Sequence, residues 1–301
     1  MNPFWFPLAL GGAAAANVGY LLAYREIAHV NEGPRVGRLR AIALVATGFG
    51  IFVPRGGFAL DLEALRDLGF LRREARVRVL GLGALEYAVL ATGACVCSLI
   101  LLARHAHVHE AVTVSWAIGV PIGTALALFA VARRDLLCRG PLKLLRQPLD
   151  ALYVVGCIVS APRRHGIAAF FGMGVYWWGE VWVLWTCLAA FTHHEPSIPA
   201  VVVGYATGYA LTRRTLPFAG AGAVEALLPF ALVWVGNPLA PSLLAVLAYR
   251  VFNLWLPVGP ALAGLVALRR RRSSVPGAEV RGDDRDVGAA EGAGRRGHMH
   301  G

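Results

Sequence analysis

"LPFAGAGAVEALLPFALVWVG", residues 216–236, has the length and apolarity of a membrane-crossing helix, yet it holds Pro217, Pro229, a glycine pair at Gly220 and Gly222, and one carboxylate, Glu225. An ionisable group at mid-bilayer costs roughly 2.5 kcal/mol or more, so it is expected to face a cavity, a partner charge or a substrate. The stretch therefore reads as a helix of a polytopic membrane protein that has a polar interior. The rest of the chain bears on what that interior holds.

Of the 301 residues, 57% are hydrophobic and 16% charged, with a mean hydropathy of +0.57. Soluble domains carry roughly 25% charged residues, so the composition itself points to the bilayer. Spans poor in charge run over 4–24, 79–103, 111–132, 166–192, 198–212, 216–236 and 243–268, most of them near the ~20 residues that a crossing helix needs. The expected fold is all-α: about seven spanning helices plus one or two re-entrant or surface half-helices. Residues 1–268 form the membrane domain, and 269–301 a disordered basic cytoplasmic tail rich in Gly, Ala, Arg and Asp.

A formal net charge of +11 raises nucleic acid as a partner, but the arginines lie between apolar spans rather than on a soluble face, which excludes it. Their placement sets orientation instead. Basic residues occur at Arg25, Arg35, Arg38 and Arg40, six times from Arg55 to Arg78, five times from Arg133 to Arg146, at Arg163, Arg164, Arg213 and Arg214, and in the run from Arg269. The connections 104–110, 193–197 and 237–242 hold only Arg104. The positive-inside rule then predicts a multi-pass cell-membrane protein with its N-terminus outside and its C-terminus in the cytoplasm. The first apolar stretch follows no basic segment and reads as an uncleaved span. Cys95, Cys97, Cys138, Cys157 and Cys187 lack CxxC spacing and are expected to be reduced thiols.

Two apolar stretches, 41–54 and 149–162, are each 14 residues long, about 21 Å as helix against a hydrocarbon core of ~30 Å. The first is expected to re-enter on the cytoplasmic side and the second to lie on the surface as a helix. Between the first and the next span, 55–78 puts Phe58, Leu62, Leu65 and Leu68 or Phe70 on one stripe. That pattern predicts an amphipathic helix resting on the anionic leaflet.

Glu86, Glu180, Glu225 and Arg250 are ionisable residues inside spans. Glu180 sits among aromatics in "YWWGEVWVLW" (176–185), and whether it is paired depends on how near Arg250 lies. Arg250 offers a planar, bidentate donor to a phosphate. His105, His107 and His109, with His193 and His194 on the same predicted face, are the candidate metal ligands, although their spacing fits neither HExxH nor a zinc-finger pattern; no metal site and no cofactor is expected. The small-xxx-small "GYATG" (204–208) predicts close helix packing.

"GAGAVEALLPFALVWVG" and "AYRVFNLWLPVGPALAGL" together resemble the C-terminal signature of the lysylphosphatidylglycerol synthase transmembrane region, a flippase-like membrane family. The matching residues are Gly220, Gly222, Glu225, Tyr249, Arg250 and Pro257. "FGIFVPRGG", with Pro54, Arg55, Gly56 and Gly57, followed by Glu86 in "LEYAVL", is similar to the family's N-terminal mark. The chain departs from the pattern at Phe58, where relatives usually carry Glu, and at Ala219. The soluble aminoacyl-transfer domain of two-domain members is absent from the sequence, so lipid synthesis is not implied. The resemblance implies a lipid translocator that moves a phospholipid or polyprenyl-linked lipid through a central polar cavity. In that cavity Glu225 stands in the wall, Gly220 and Gly222 let backbone approach a headgroup, and Arg250 supplies the cation. The translocator reading has Arg55 and Arg250 hold phosphate, with Glu180 or Glu225 as a proton or cation partner.

Membrane lipids are thus the expected ligands, with a second copy of the chain or a lipid-biosynthesis enzyme as the expected protein partner. The competing readings are a non-transporting accessory subunit of such an enzyme and an intramembrane lipid-modifying enzyme. Enzymatic function is disfavoured because no nucleophile with a base at useful spacing appears.

Overall fold

The computed structural model describes residues 4–29, 36–48, 57–67, 69–106, 108–133, 149–150, 152–153, 155–156, 163–192, 194–209 and 222–273. Within these the chain is helical and contains no strand. The helices are α1 (Trp5–His29), α2 (Arg38–Gly48), α3 (Gly57–Arg66), α4 (Arg72–Ala103), α5 (Glu110–Ala132), α6 (Arg163–Phe191), α7 (Ile198–Tyr209), α8 (Ala223–Trp234), α9 (Leu239–Arg250) and α10 (Val258–Ser273), with a π-helical turn, Val251–Trp255, joining the last two. Among the described residues, five segments are long and apolar enough to cross a membrane: α1, α4, α5, most of α6, and the run Leu239–Leu268; α7 and α8 are shorter apolar helices. The chain is an all-α polytopic membrane protein, as its composition requires.

Glycine decides the tightest packing. The antiparallel pair α1 and α6 brings Gly12 against Gly179 and Gly19 against Gly172. A methyl group placed on Gly19 would stand 2.5 Å from the Gly172 carbonyl oxygen, and one on Gly179 2.5 Å from that of Gly12. The backbones therefore touch, with no side chain between them, which is how small residues associate helices where lipid leaves little hydrophobic drive. Rings close both ends of the seam: Trp5 packs edge-on to Trp185 and Tyr20 to Tyr176, each with centroids 5.3 Å apart.

The same device recurs where "GYATG" predicts it. A methyl on Gly208 would stand 2.7 Å from the Leu228 Cα, and Gly204 faces Val235 and Leu232, so α7 lies close against α8. Gly264 of α10 meets the Ala43 carbonyl and Thr47 of α2. With 11 residues α2 rises about 16 Å, too little to cross, and it lies against the end of α10 nearest the arginine run. Residues 49–54, the rest of the expected re-entrant stretch, lie outside the described residues. So do most of 149–162, of which Leu149 and Asp150 are helical and buried, with Asp150 3.5 Å from the Arg73 guanidinium. α10 continues through the arginines to Ser273, beyond the expected domain boundary at 268.

The amphipathic helix expected over 55–78 is two helices. α3 ends at Arg66 in a Schellman turn: the Gly69 N–H donates to Arg66 O at 2.9 Å and the Phe70 N–H to Leu65 O at 3.2 Å, with Gly69 at φ +93°. Leu65 and Phe70 share one apolar cluster, the contact that normally seals this motif. Asp61 is buried rather than on a polar face. α4 starts anew at Arg72 and, with 32 residues, rises about 48 Å, longer than the hydrocarbon core. Its basic first turns therefore project beyond the membrane, where the Arg78 guanidinium lies 4.2 Å over the Phe70 ring.

α5 stands apart. Thr113 is its sole buried residue, and Ile118, Ile122, Leu126 and Phe129 point outward. Cys95, Cys97 and Cys187 are free thiols within the spans; Cys138 and Cys157 lie outside the described residues.

The glycine seam yields a paired test. Gly19→Val and Gly172→Val should each lower stability by about 3 kcal/mol, since the added methyls meet backbone rather than a yielding side chain. Gly11→Ala and Gly174→Ala, where nothing lies within 4 Å, should be neutral or slightly stabilising by up to about 1 kcal/mol. Apparent melting midpoints of the purified variants in detergent separate the two classes.

Candidate functional site

Helix rise places three of the four intramembrane charges at one depth. Phe191, Trp234 and Leu239 end their helices on the arginine-poor face, a face tied together by the His109 N–H donating to the Trp234 carbonyl at 3.0 Å. Counting inward, Glu180, Glu225 and Arg250 each lie about 15 Å from that face, half of a ~30 Å core. Glu86 lies about 25 Å of rise from Ala103, near the opposite face. It is buried, and its carbonyl accepts the Trp177 indole N–H at 2.7 Å.

Glu225 is explained by the helix it begins. α8 starts in mid-membrane at Ala223, after Gly222 at φ +85°, a conformation that glycine adopts without strain. Its first N–H groups would be orphaned there. Glu225 Oε2 accepts the Gly222 N–H at 2.7 Å, half of a capping box, and its negative charge sits at the positive end of the helix dipole. Glu225 Oε1 accepts the Arg250 Nε–H at 2.5 Å. Arg250 is only 3% exposed, its partner's side chain 28%. One carboxylate thus caps the start of α8 and neutralises the guanidinium.

Glu180 is served by other groups. Its Oε2 accepts the Tyr249 hydroxyl at 2.5 Å, the Asn253 amide N–H at 2.6 Å and, more weakly, the Tyr205 hydroxyl at 3.4 Å. The two phenols lie 3.2 Å apart, and Trp177 packs edge-on to the Tyr205 ring. Tyr249 and Arg250, adjacent in sequence, thereby serve different carboxylates. Pro257 offers no N–H to the carbonyl four residues back, that of Asn253. The backbone upstream takes a π register, with the Leu256 N–H reaching the Val251 carbonyl at 2.8 Å. Asn253 lies in that turn. Beside Glu180 is a cavity of about 10 Å³, bordered by Asn17, Tyr249, Asn253 and Pro257, room for a single water-sized guest.

The structure therefore joins Glu225 with Arg250 and Tyr249 with Glu180, gives Gly222 its turn, and sets Glu86 apart. Gly57 is the first residue of α3. Arg55, Gly56 and Gly220 lie outside the described residues, as do His107 and His193. Among the described residues no three His, Cys, Asp or Glu side chains gather to share a metal ion, so His105, His109 and His194 form no such cluster. Sequence reading overlooks Tyr205, Asn253 and Asn17, neutral groups in a search for charges; an asparagine in an apolar run four residues before a proline is the signal that was there. No protein-family model matches this chain, and no curated protein matches it either.

The bond lengths rank the phenols. Tyr249→Phe should cost about 1.5–3 kcal/mol, the range for a hydrogen bond to a charged acceptor, and Tyr205→Phe less than half of that. Equal costs in chemical or thermal unfolding would contradict the ranking.

Proposed function

We propose that this chain is a lipid translocator that moves an anionic amphiphile, a phospholipid or polyprenyl-linked lipid, between the leaflets of a cell membrane, with its N-terminus outside and its C-terminus in the cytoplasm. The observation that carries the reading is the Arg250–Glu225 pair at half-depth. A buried ionic pair contributes little net stability, whereas charges inside spans mark substrate and ion pathways. Broken helices that meet at the midplane have the same association in transporters. On this reading the guanidinium exchanges the Glu225 carboxylate for a lipid phosphate, a swap of one oxyanion for another on the same planar donor. The sequence resemblance supports it, since Gly222, Glu225, Tyr249, Arg250 and Pro257 are among the residues that carry that resemblance.

The cavity beside Glu180 takes a water and not a headgroup, so translocation requires the helices around it to part. That one observation favours the second reading, an accessory subunit of a lipid-biosynthesis enzyme that carries no cargo.

Vesicles reconstituted with the pure protein and a trace of fluorescent phospholipid distinguish the two. Wild type should expose the inner-leaflet dye to a membrane-impermeant quencher. Arg250→Ala should slow this by about tenfold or more, and Arg250→Lys, which keeps charge but not the fork, should fall between. Each variant is first checked for a monodisperse, helical preparation. Wild-type rates in Arg250→Ala would end the translocator reading.

A further inference from the structure

The cavity beside Glu180 has a chemistry that the lipid reading does not use. Its border combines one carboxylate, a phenol and two carboxamides, those of Asn17 and Asn253. It lies at the depth of Arg250, whose Nε–H goes to Glu225. Asn17 donates its Nδ2–H to the Ala13 carbonyl at 2.8 Å, which commits its nitrogen to its own helix and its oxygen to acceptor duty. Three donors converge on a single oxygen of Glu180. Asn253 contributes its nitrogen in this arrangement, and a half-turn of its amide presents its oxygen to the same place. The π turn sets Asn253 next to a proline-interrupted backbone, the kind of locally unwound helix that coordinates ions in transporters.

We infer that the Glu180–Tyr249–Asn253 cavity is a binding site for one monovalent cation of sodium size. A single carboxylate balances one positive charge, and the remaining ligands are neutral oxygens. Calcium takes six to eight oxygens, commonly including several carboxylates, and magnesium retains several waters, for which a cavity of about 10 Å³ has no space. On binding, the Tyr249 and Asn253 donors turn from Glu180 and offer oxygens to the ion. This loosens the link between α6 and the α9–α10 run, the parting that translocation needs. The coupling role rests on the translocator reading; the site itself does not.

The test uses the full chain in detergent at constant ionic strength, with sodium chloride replacing choline chloride. Raising sodium from about 1 to about 100 mM should lift the wild-type melting midpoint by about 3 °C, with potassium less effective. Glu180→Gln and Asn253→Leu should abolish the rise. If these variants do not fold, Asn17→Leu decides, because Asn17 is exposed and its replacement suits a lipid-facing helix; it should at least halve the rise. Equal midpoints in sodium and choline, or an undiminished rise in Asn17→Leu, would each overturn the site. A sodium response without lipid movement in the vesicle assay would sink the translocator reading and leave the site standing; lipid movement without a sodium response would do the reverse.

Discussion

Everything in the interior is referenced to the backbone contact between α1 and α6. Gly12 with Gly179 and Gly19 with Gly172 remove side chains from the seam, so the two helices have one rotation and one register that avoid collision. Glu180 follows Gly179 directly. Once Gly179 is pressed into α1, the 100° step of the helix turns Glu180 away from the seam and toward α7 and α9, where Tyr205 and Tyr249 reach it. A strongly apolar helix thereby holds a carboxylate in one direction.

Interruptions of the helical repeat do the corresponding work on the other side. Gly222 lets α8 begin in mid-membrane, where Glu225 both caps it and takes Arg250. Pro257 forces the π turn that includes Asn253. Neither break is compensated by water in a bilayer, so each requires a polar side chain nearby. The two carboxylates at half-depth are the acceptors for the groups that these breaks present, and the polar interior is concentrated there.

The fold class and the intramembrane charges Glu180, Glu225 and Arg250 were legible from the amino-acid sequence because charges in apolar runs are conspicuous; that Arg250 pairs with Glu225 was not, since three carboxylates were on offer and only packing chooses among them. The Gly204–Gly208 contact was legible from its spacing. The seam was not: Gly12 and Gly19, like Gly172 and Gly179, are seven residues apart, and nothing within either helix says that the other carries the matching repeat. Reading 55–78 as one helix weighed the apolar stripe and neglected Gly69, whose left-handed conformation ends α3 and frees α4 to start at Arg72. Glu180's neighbours were hidden for another reason. Tyr205, Tyr249 and Asn253 come from three segments, and only tertiary packing brings their hydroxyls and amide to one oxygen.

The outward face of α5 has a consequence for the protein's history. Its outward residues answer to hydrocarbon rather than to shaped neighbours, so selection there acts on oiliness and not on identity. Among descendants of one ancestral gene, Ile118, Ile122, Leu126 and Phe129 should interchange freely with other apolar residues. Gly12, Gly19, Gly172 and Gly179 should stay as they are, because no larger residue fits where two backbones meet. Within one chain, two membrane helices would then record evolutionary time at very different rates.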